Sequence, residues 1–222
     1  GAIGPVCRGR AGGWVRVSIL SPQAYSGGVG CLGWCGVAAG GWLGDHRPVS
    51  ARVRLAVHAL AALVAALALL GMRATLLQGL LLGIAVFWIV GLVNVWNFMD
   101  GIDGLASSQA LLVVLCMHVG GALYGWLDPA WSGVASIFLG ALLGFLPFNF
   151  PRARIFLGDV GSGTFGFVIA CLLLRAVVAG AMSWPLALLP VSAFAADSGF
   201  ALGQRIVPRR RWGLPHRYLP LH

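Results

Sequence analysis

Two Asp–Gly steps stand three residues apart in segment 94–106, which reads NVWNFMDGIDGLA. They place Asp100 and Asp103 in a turn, because the glycine after each aspartate tolerates the positive φ that a sharp reversal requires. Such a turn can aim both carboxylates and the Asn97 amide at one ligand. The segment lacks the glutamate and the further acidic positions of a calcium-binding loop. The pattern is compatible with a substrate-binding turn and also with a simple capped turn between two helices.

A second segment, 148–163, reads FNFPRARIFLGDVGSG and surrounds one aspartate and one serine with glycines. Backbone N–H groups in such a glycine-rich loop can approach an anion, and the start of the following helix favours phosphate through its dipole. Asp159 can hold Mg²⁺, because this ion accepts one or two carboxylates together with phosphate oxygens. The alternative is a glycine-rich turn in which the aspartate only caps a helix.

Two further segments combine basic residues with histidine and are weaker signals. Segment 43–54 reads LGDHRPVSARVR, and segment 209–217 reads RRRWGLPHR. Arginine is ordinary at a membrane edge, and a lone histidine such as His216 is more often a surface residue than a ligand. Neither segment predicts a function without the others.

The composition predicts a membrane protein. Of the 222 residues, 59% are hydrophobic and only 9% are charged, whereas soluble domains carry about 25% charged residues. The formal net charge is +9, from 15 arginines and 6 aspartates. In so apolar a chain, arginines at the membrane edges explain this charge better than nucleic-acid binding does. We therefore expect the lipid bilayer and no nucleic acid among the partners.

Six apolar segments approach the length of about 20 residues that a membrane-spanning helix requires. They cover residues 55–71, 76–96, 111–126, 133–148, 164–182 and 184–196, and a weaker, glycine-rich seventh covers residues 29–43. The sequence therefore predicts an all-α fold, a polytopic membrane helix bundle with six or seven transmembrane helices. Residues 1–44 are predicted to be an irregular leader, either genuine or artefactual, and residues 45–222 to be the membrane-embedded domain.

The charges divide unevenly between the two sides of the predicted bundle. One side receives ten arginines, namely Arg47, Arg52, Arg54, Arg152, Arg154, Arg205, Arg209, Arg210, Arg211 and Arg217, and the other receives only Arg73. Cytoplasmic loops are enriched in basic residues, so the first side is predicted to be cytoplasmic. Five of the six aspartates also fall there: Asp45, Asp100, Asp103, Asp159 and Asp197. This clustering indicates a cation and phosphate site in the cytoplasmic loops, or only the solvation of aspartate at loop ends.

Two charged residues do not fit this scheme. Asp128 falls on the side opposite to the other acids, and Arg175 lies within the fifth predicted span.

Together, the four segments resemble the polyprenyl-phosphate N-acetylhexosamine-1-phosphate transferases, or glycosyltransferase family 4. The pattern NFMDGIDGLA followed by FNFPRARIFLGDVGSG is similar to the bacterial branch that initiates O-antigen synthesis. The family also includes the phospho-MurNAc-pentapeptide translocase. The resemblance extends from Trp42 to Arg217, which is most of the chain.

The resemblance implies a magnesium-dependent phosphoglycosyl transferase of the bacterial inner membrane. The implied reaction moves a sugar-1-phosphate, of the N-acetylhexosamine type, from a UDP-sugar to undecaprenyl phosphate and releases UMP. This reaction initiates the synthesis of lipid-linked polysaccharide. The implied cofactor is Mg²⁺, with Mn²⁺ as an alternative, and the active site faces the cytoplasm. A homodimer is left open.

The resemblance also assigns roles to individual residues. Asp159 is the implied metal ligand. The implied catalytic residues are Asp45, Asp100, Asp103 and His216, with Asp45 orienting or deprotonating the attacking lipid phosphate. The implied substrate-binding residues are Asn97, Asn149, Arg217, Gly161 and Ser162.

The chain departs from the family pattern at both ends. Gly44 stands where the family has the first of two adjacent aspartates, and Leu219 stands where it has another histidine. The family usually has more helices, so the chain is expected to be a truncated transferase domain. A catalytically impaired membrane fragment is one alternative. An ion-coupled transporter is another, although it predicts acidic residues in the middle of the spans.

Overall fold

A computed structural model describes residues 6–8, 14–16, 35–41, 50–71 and 75–206 of the chain. Two short antiparallel strands, β1 (Val6–Arg8) and β2 (Trp14–Arg16), pair with Val6 opposite Arg16. The remaining described elements are helical. They are α1 (residues 35–41), α2 (Ala51–Leu70), α3 (Leu76–Met99), α4 (Leu105–Tyr124), α5 (Pro129–Asn149), α6 (Gly158–Val178), α7 (Trp184–Leu188), a 3₁₀ turn (Leu189–Val191) and α8 (Ser192–Ile206).

Five of the described helices, α2 to α6, are long and apolar enough to cross a membrane, judged by length and composition. The predicted all-α polytopic bundle is therefore confirmed, with five such helices in the described residues instead of six or seven. The sixth predicted span, 184–196, is divided into two helices by the 3₁₀ turn at Pro190, since proline lacks the backbone N–H that a continuous helix uses. The seventh, 29–43, lies partly outside the described residues.

Polar side chains begin the helices at the ends of the bundle. Ser50 caps α2 by accepting a hydrogen bond from the Val53 N–H at 3.4 Å, and Thr75 caps α3 in the same way at 3.2 Å. Asp128 caps α5, where Pro129 occupies the first position. These residue types satisfy N–H groups that have no partner inside the helix. These hydrogen bonds matter most in lipid, where no water is present to bond to an unpaired N–H group.

Helix α6 is the centre of the bundle. In its spanning segment 67% of the residues are buried, against 17% to 39% in the other four. It packs closely on α3 at Gly166, where an added Cβ would lie 2.5 Å from the Leu92 carbonyl oxygen. The Trp88 ring N–H donates to the Ala170 carbonyl at 3.1 Å. These contacts run antiparallel and bring the last turn of α3 beside the first turn of α6.

The outer helices direct large apolar side chains outward. Leu76, Phe87 and Ile137 are each more than three-quarters exposed. In water such a surface would form an extended apolar patch of the kind that soluble monomers avoid. In a bilayer it meets lipid tails of equal polarity. The outer surface of the bundle is therefore that of a multi-pass membrane protein.

Candidate active site

Three helices meet at the carboxylate of Asp159 in the first turn of α6. The Asn97 amide, from the last turn of α3, donates to Asp159 Oδ1 at 2.8 Å. The Arg54 guanidinium, from the first turn of α2, donates to Asp159 Oδ2 and forms an ion pair with it. A carboxylate in the first turn also suits the positive end of the helix dipole. Asp159 therefore joins α2, α3 and α6 at one end of the bundle.

Ser162 fixes the orientation of the Asn97 amide. Its hydroxyl accepts from Asn97 Nδ2 at 3.1 Å and donates to the Gly158 carbonyl at 2.8 Å. An amide nitrogen has two N–H donors, and here they serve Asp159 and Ser162. Ser162 is completely buried, so it supports Asn97 from behind. Its predicted contact with substrate stays a prediction.

Gly161 has a packing role within the same turn. An added Cβ would lie 2.5 Å from side-chain atoms of Leu157, so this position admits no side chain unless Leu157 moves. The Gly161 N–H donates to the Leu157 carbonyl at 3.1 Å. Substrate binding by Gly161 also stays a prediction.

A second cluster, the loop junction, ties the turn before α4 to the loop before α6. Asn149 is buried at the end of α5, and its Oδ1 accepts from the Ser107 hydroxyl at 2.6 Å and from the Gly104 N–H at 3.2 Å. Its Nδ2 donates to the Ile155 carbonyl at 3.1 Å. Gly104 has φ +74°, and an added Cβ there would meet the Phe150 ring at 2.6 Å. The Asn149 amide thus holds the two loops together.

The two turn aspartates lie at the same end of the bundle as Asp159. Asp100 is the C-cap of α3, three residues after Asn97. Asp103 is exposed, and its Oδ2 accepts from the Ala153 N–H at 3.0 Å. The predicted convergence of acids from separate loops on one end is therefore observed for Asp100, Asp103 and Asp159. Asp45 lies outside the described residues, and Asp197 lies exposed on α8.

A cavity of about 90 Å³ opens beside Asp159. Water requires roughly 10–15 Å³ of such volume per molecule, so the cavity has room for several waters or for a phosphate group. It is lined by Gly41, Arg54, Leu55, His58, Asn94, Asn97 and Asp159. Leu55 is 51% exposed, so the rim of the cavity reaches the outer surface of α2.

Helix α1 closes one wall of this cavity through a glycine. At Gly41, an added Cβ would lie 2.6 Å from the Val160 Cα and 2.8 Å from the Asp159 carbonyl carbon. The backbone of α1 therefore lies directly against the first turn of α6. The boundary predicted at residue 44 stays a prediction, and α1 packs against the helices that follow it.

The side chains at Asp159 suit a magnesium site that the substrate's phosphates complete, and they do not suit a site formed by protein ligands alone. Within the described residues, no group of three or more histidine, cysteine or acidic side chains is placed to hold a metal ion. Mg²⁺ is often bound by one or two carboxylates together with substrate phosphates. Asp159, with the Asn97 amide beside it, fits that mode.

The structure thus distributes the predicted site residues over two clusters. Asn97, Asp159, Gly161 and Ser162 belong to the first, and Asp103 and Asn149 to the loop junction, with Asp100 at the end of α3. Asp45, His216 and Arg217 lie outside the described residues.

The sequence interpretation missed several residues that line the cavity: Gly41, Arg54, His58 and Asn94. Arg54 was counted only as a charge at the membrane edge. His58 carried a usable signal, because an ionisable residue inside an apolar span is rare and often functional.

The opposite end of α6 explains why Asp128 and Arg175 did not fit the predicted division of charges between the two sides of the bundle. Arg175 lies in the last turn of α6, and its Nη2 and Nε donate to Asp128 Oδ2 at 2.6 Å and 3.0 Å. Asp128 is the N-cap of α5. Asp128 and Arg175 therefore form an ion pair away from the Asp159 cluster.

The fold and the site define a polytopic membrane protein with a polar cavity, lined in part by the Arg54 guanidinium, at one end of its bundle. Residues 29–177, more than half of the chain, match the family model of glycosyl transferase family 4. The chain belongs to this family, as its motifs predicted.

The chain is similar to parts of named bacterial enzymes. It is 45% identical to the decaprenyl-phosphate N-acetylglucosaminephosphotransferase of Mycobacterium tuberculosis, over 36% of this chain and 22% of that protein. It is 38% identical to the phospho-N-acetylmuramoyl-pentapeptide-transferase of Streptococcus thermophilus, over 47% of this chain and 29% of that protein. The chain therefore spans less than a third of the length of these curated relatives.

Proposed function

We propose that the chain transfers an N-acetylhexosamine-1-phosphate from a UDP-sugar to undecaprenyl phosphate and releases UMP, initiating lipid-linked polysaccharide synthesis of the O-antigen type. The observation that carries the proposal is the junction of Asp159, Asn97 and Arg54 beside a cavity at one end of a membrane bundle. Family membership supports the reaction class. The relatives' names support a polyprenyl phosphate acceptor and a phospho-sugar donor.

The reaction is a displacement at phosphorus. An oxygen of the lipid phosphate attacks the β-phosphorus of the UDP-sugar. The bond from that phosphorus to the bridging oxygen breaks, and UMP leaves with the electron pair. The lipid then carries a diphosphate linked to the sugar. Such transfers depend mainly on positioning and on the neutralisation of negative charge.

The first cluster supplies both requirements. Arg54 places a guanidinium at the cavity, where it can pair with phosphate oxygens. Asp159 would hold Mg²⁺ or Mn²⁺, which would further neutralise the charge of the diphosphate when bound. Asn97 and Ser162 hold the Asp159 carboxylate in place. Asp45, His216 and Arg217 keep their proposed roles on the attacking phosphate and in clamping phosphate.

The turn aspartates are proposed to contact the nucleotide. Asp103 is exposed, and the loop junction fixes its turn through Gly104. Because Asn149 uses both ends of its amide within the protein, we assign it the positioning of this turn and not a direct substrate contact.

The site is proposed to face the cytoplasm at the inner membrane. The end of the bundle that holds Asp159 also holds Arg52, Arg54, Arg152 and Arg154, which belong to the arginine-rich side. A cytoplasmic orientation would give the site access to nucleotide sugars, and the bias of arginine toward the cytoplasm supports it.

The transporter alternative is not favoured by the position of the acids. The five described spanning helices contain a single acidic residue, Asp159, and it lies in the first turn of α6. A pathway through the bilayer predicts acidic residues in the middle of the spans. The acids here lie at a membrane edge, as a site for water-soluble substrates requires.

The test is UMP release by the 222-residue chain in lipid nanodiscs. UDP-GlcNAc or UDP-GalNAc is supplied with undecaprenyl phosphate and Mg²⁺, and each component is omitted in turn. We expect release that needs both substrates, stops with EDTA and returns with Mg²⁺ or Mn²⁺. A folded chain that binds UDP but releases no UMP would be the impaired form. UDP-sugar hydrolysis without the lipid acceptor would overturn the proposal.

A further inference from the structure

His58 is an ionisable residue inside a membrane-spanning helix, and the proposed reaction has not yet used it. It lies four residues after Arg54, so both side chains project from the same face of α2. The residue is 9% exposed. Ionisable side chains are rare within such spans and usually face a partner or a cavity.

His58 is one of the residues that line the cavity, and its side chain is largely buried. Within the described part of the chain, no hydrogen bond joins this ring to another residue. Neither nitrogen is sealed from solvent, in contrast with Trp131 Nε1 and Ser198 Oγ, which are buried without partners. His58 lines the cavity together with Arg54, Asn97 and Asp159. A largely buried imidazole that lines a cavity and has no hydrogen bond to a described residue is available to a ligand there.

The donors around the cavity suit an oxyanion. Arg54 supplies N–H groups and positive charge, and imidazole supplies an N–H whether it is neutral or charged. Among the described residues that line the cavity, Asp159 is the one acidic residue, and Arg54 and Asn97 bond to it. A phosphate oxygen placed between Arg54 and His58 would accept from both side chains.

We propose that His58 donates a hydrogen bond to a phosphate oxygen of one of the two substrates, so that Arg54 and His58 form a phosphate-binding pair on α2. This inference rests on the proposed function for the identity of the phosphate. The two residues are four positions apart, which places their backbones about 6 Å apart along the helix axis. Side chains at this spacing lie next to each other on one helix face, so both can reach one phosphate group.

Two sources can supply this phosphate: the head of the lipid acceptor or the diphosphate of the nucleotide sugar. The experiment measures equilibrium binding of undecaprenyl phosphate and, separately, of UDP with Mg²⁺ to the chain in nanodiscs. The variants are His58→Leu, which removes the donor, and His58→Gln, which retains an N–H at similar reach. His118→Leu is the matched control, because His118 lies on α4 and contacts Ser136 at 3.4 Å.

We expect His58→Leu to weaken the binding of one ligand about tenfold, the effect of losing one hydrogen bond to a charged group. His58→Gln should recover most of the affinity, and His118→Leu should bind both ligands as the parent does. Weaker binding of undecaprenyl phosphate identifies the lipid phosphate, and weaker binding of UDP identifies the diphosphate. The KM of the same substrate should rise in turnover assays.

Parental affinity of His58→Leu for both ligands would overturn the proposal. Equal impairment of His58→Gln and His58→Leu would also overturn it, because it indicates a purely structural role. If His58→Leu does not fold, His58→Phe keeps a ring without the donor and replaces it. Because binding needs no turnover, the result separates from the proposed function: a chain that releases no UMP can still show the His58 effect, and an active chain can lack it.

Discussion

Helix α6 carries an ion pair at each of its ends, and the two pairs differ in what surrounds them. At the first turn, Asp159 pairs with Arg54, and their side chains are 27% and 38% exposed. At the last turn, Arg175 pairs with Asp128, and the exposures are 21% and 15%. Both arrangements suit the helix dipole, with the carboxylate at the positive end and the guanidinium at the negative end.

The difference lies in what borders each pair. Asp128 accepts from the Ala130 and Trp131 N–H groups with Oδ1 and from Arg175 with Oδ2. Each of its oxygens therefore has a partner within the protein, as each oxygen of Asp159 also does. The Asp159 pair borders a cavity that also contains His58 and Asn94. An ion pair alone does not identify a functional end; further polar groups at an open cavity do.

The largest expected effect comes from Asp159→Asn. The change removes the proposed metal ligand and the partner of Arg54, so UMP release should fall by at least about 100-fold. The fold should persist, because partly exposed ion pairs contribute little stability. Turnover and thermal unfolding are measured on the same preparation, with Asp197→Asn as the control. Loss of activity together with loss of the fold would place this pair in the same structural class as Asp128–Arg175.

The opposite result is expected for Asp128→Ala. It removes the α5 cap and leaves Arg175 partly buried without its partner, so the free energy of unfolding should fall by about 2 kcal/mol. UMP release per folded molecule should stay at the parental value. Denaturant titration in mixed micelles measures the first quantity. A double-mutant cycle with Arg175→Leu isolates the pair, and a coupling near zero would contradict the comparison.

A smaller effect, about a tenfold fall in kcat, is expected for Asn149→Ala. A change of this size follows from misplacing a positioned group by a fraction of an ångström. Hydrogen exchange should quicken at residues 100–104 and 150–157, because the three bonds that join these loops are lost. If KM for the UDP-sugar rose without faster exchange, Asn149 would be a direct substrate ligand and its assignment to the loop junction would be wrong.

The smallest effect is expected midway between the two pairs, at Gly166→Ala. The added methyl group would press on the backbone of α3, which costs about 1 kcal/mol of stability after the gain in helix propensity. Gly140→Ala on α5 is the control, since nothing lies within 4 Å of its Cβ position. Thermal unfolding compares the two variants. Equal melting temperatures would show that α3 and α6 are less closely packed than the structure indicates.

The apolar runs predicted the helices well, because a membrane helix is defined by the length of its apolar segment. The spans predicted at 55–71 and 76–96 became α2 and α3 with small shifts. The start of α6 was placed too late, at residue 164 instead of Gly158. Glycines normally disfavour a helix, and the sequence does not show that Gly163 and Gly166 allow close packing against α1 and α3. The end of the span was also placed too late, at residue 182 instead of Val178, so Arg175 was placed inside the span instead of in its last turn.

The sequence predicted which residues belong to the site but not which of them contact one another. The motifs placed Asp159, Asn97 and Asp103 together, since turns at the same end of alternating helices must meet. The partner of Asp159 was not predictable, because Arg54 precedes it by 105 residues and spacing carries no information on contacts between helices. Pro190 divided the sixth predicted span, which hydrophobicity alone does not reveal.

Leu55 makes the rim of the cavity apolar where the cavity opens on the lipid-facing side of α2. A reactant with a long isoprenoid tail could therefore reach the cavity by lateral diffusion within one leaflet. Its tail would stay in the hydrocarbon core while its head group enters the cavity. Its water-soluble counterpart would descend from the aqueous phase above. A lipid-soluble and a water-soluble reactant would then reach the same cavity opening from two different phases, and the proposed reaction would need no separate channel for either.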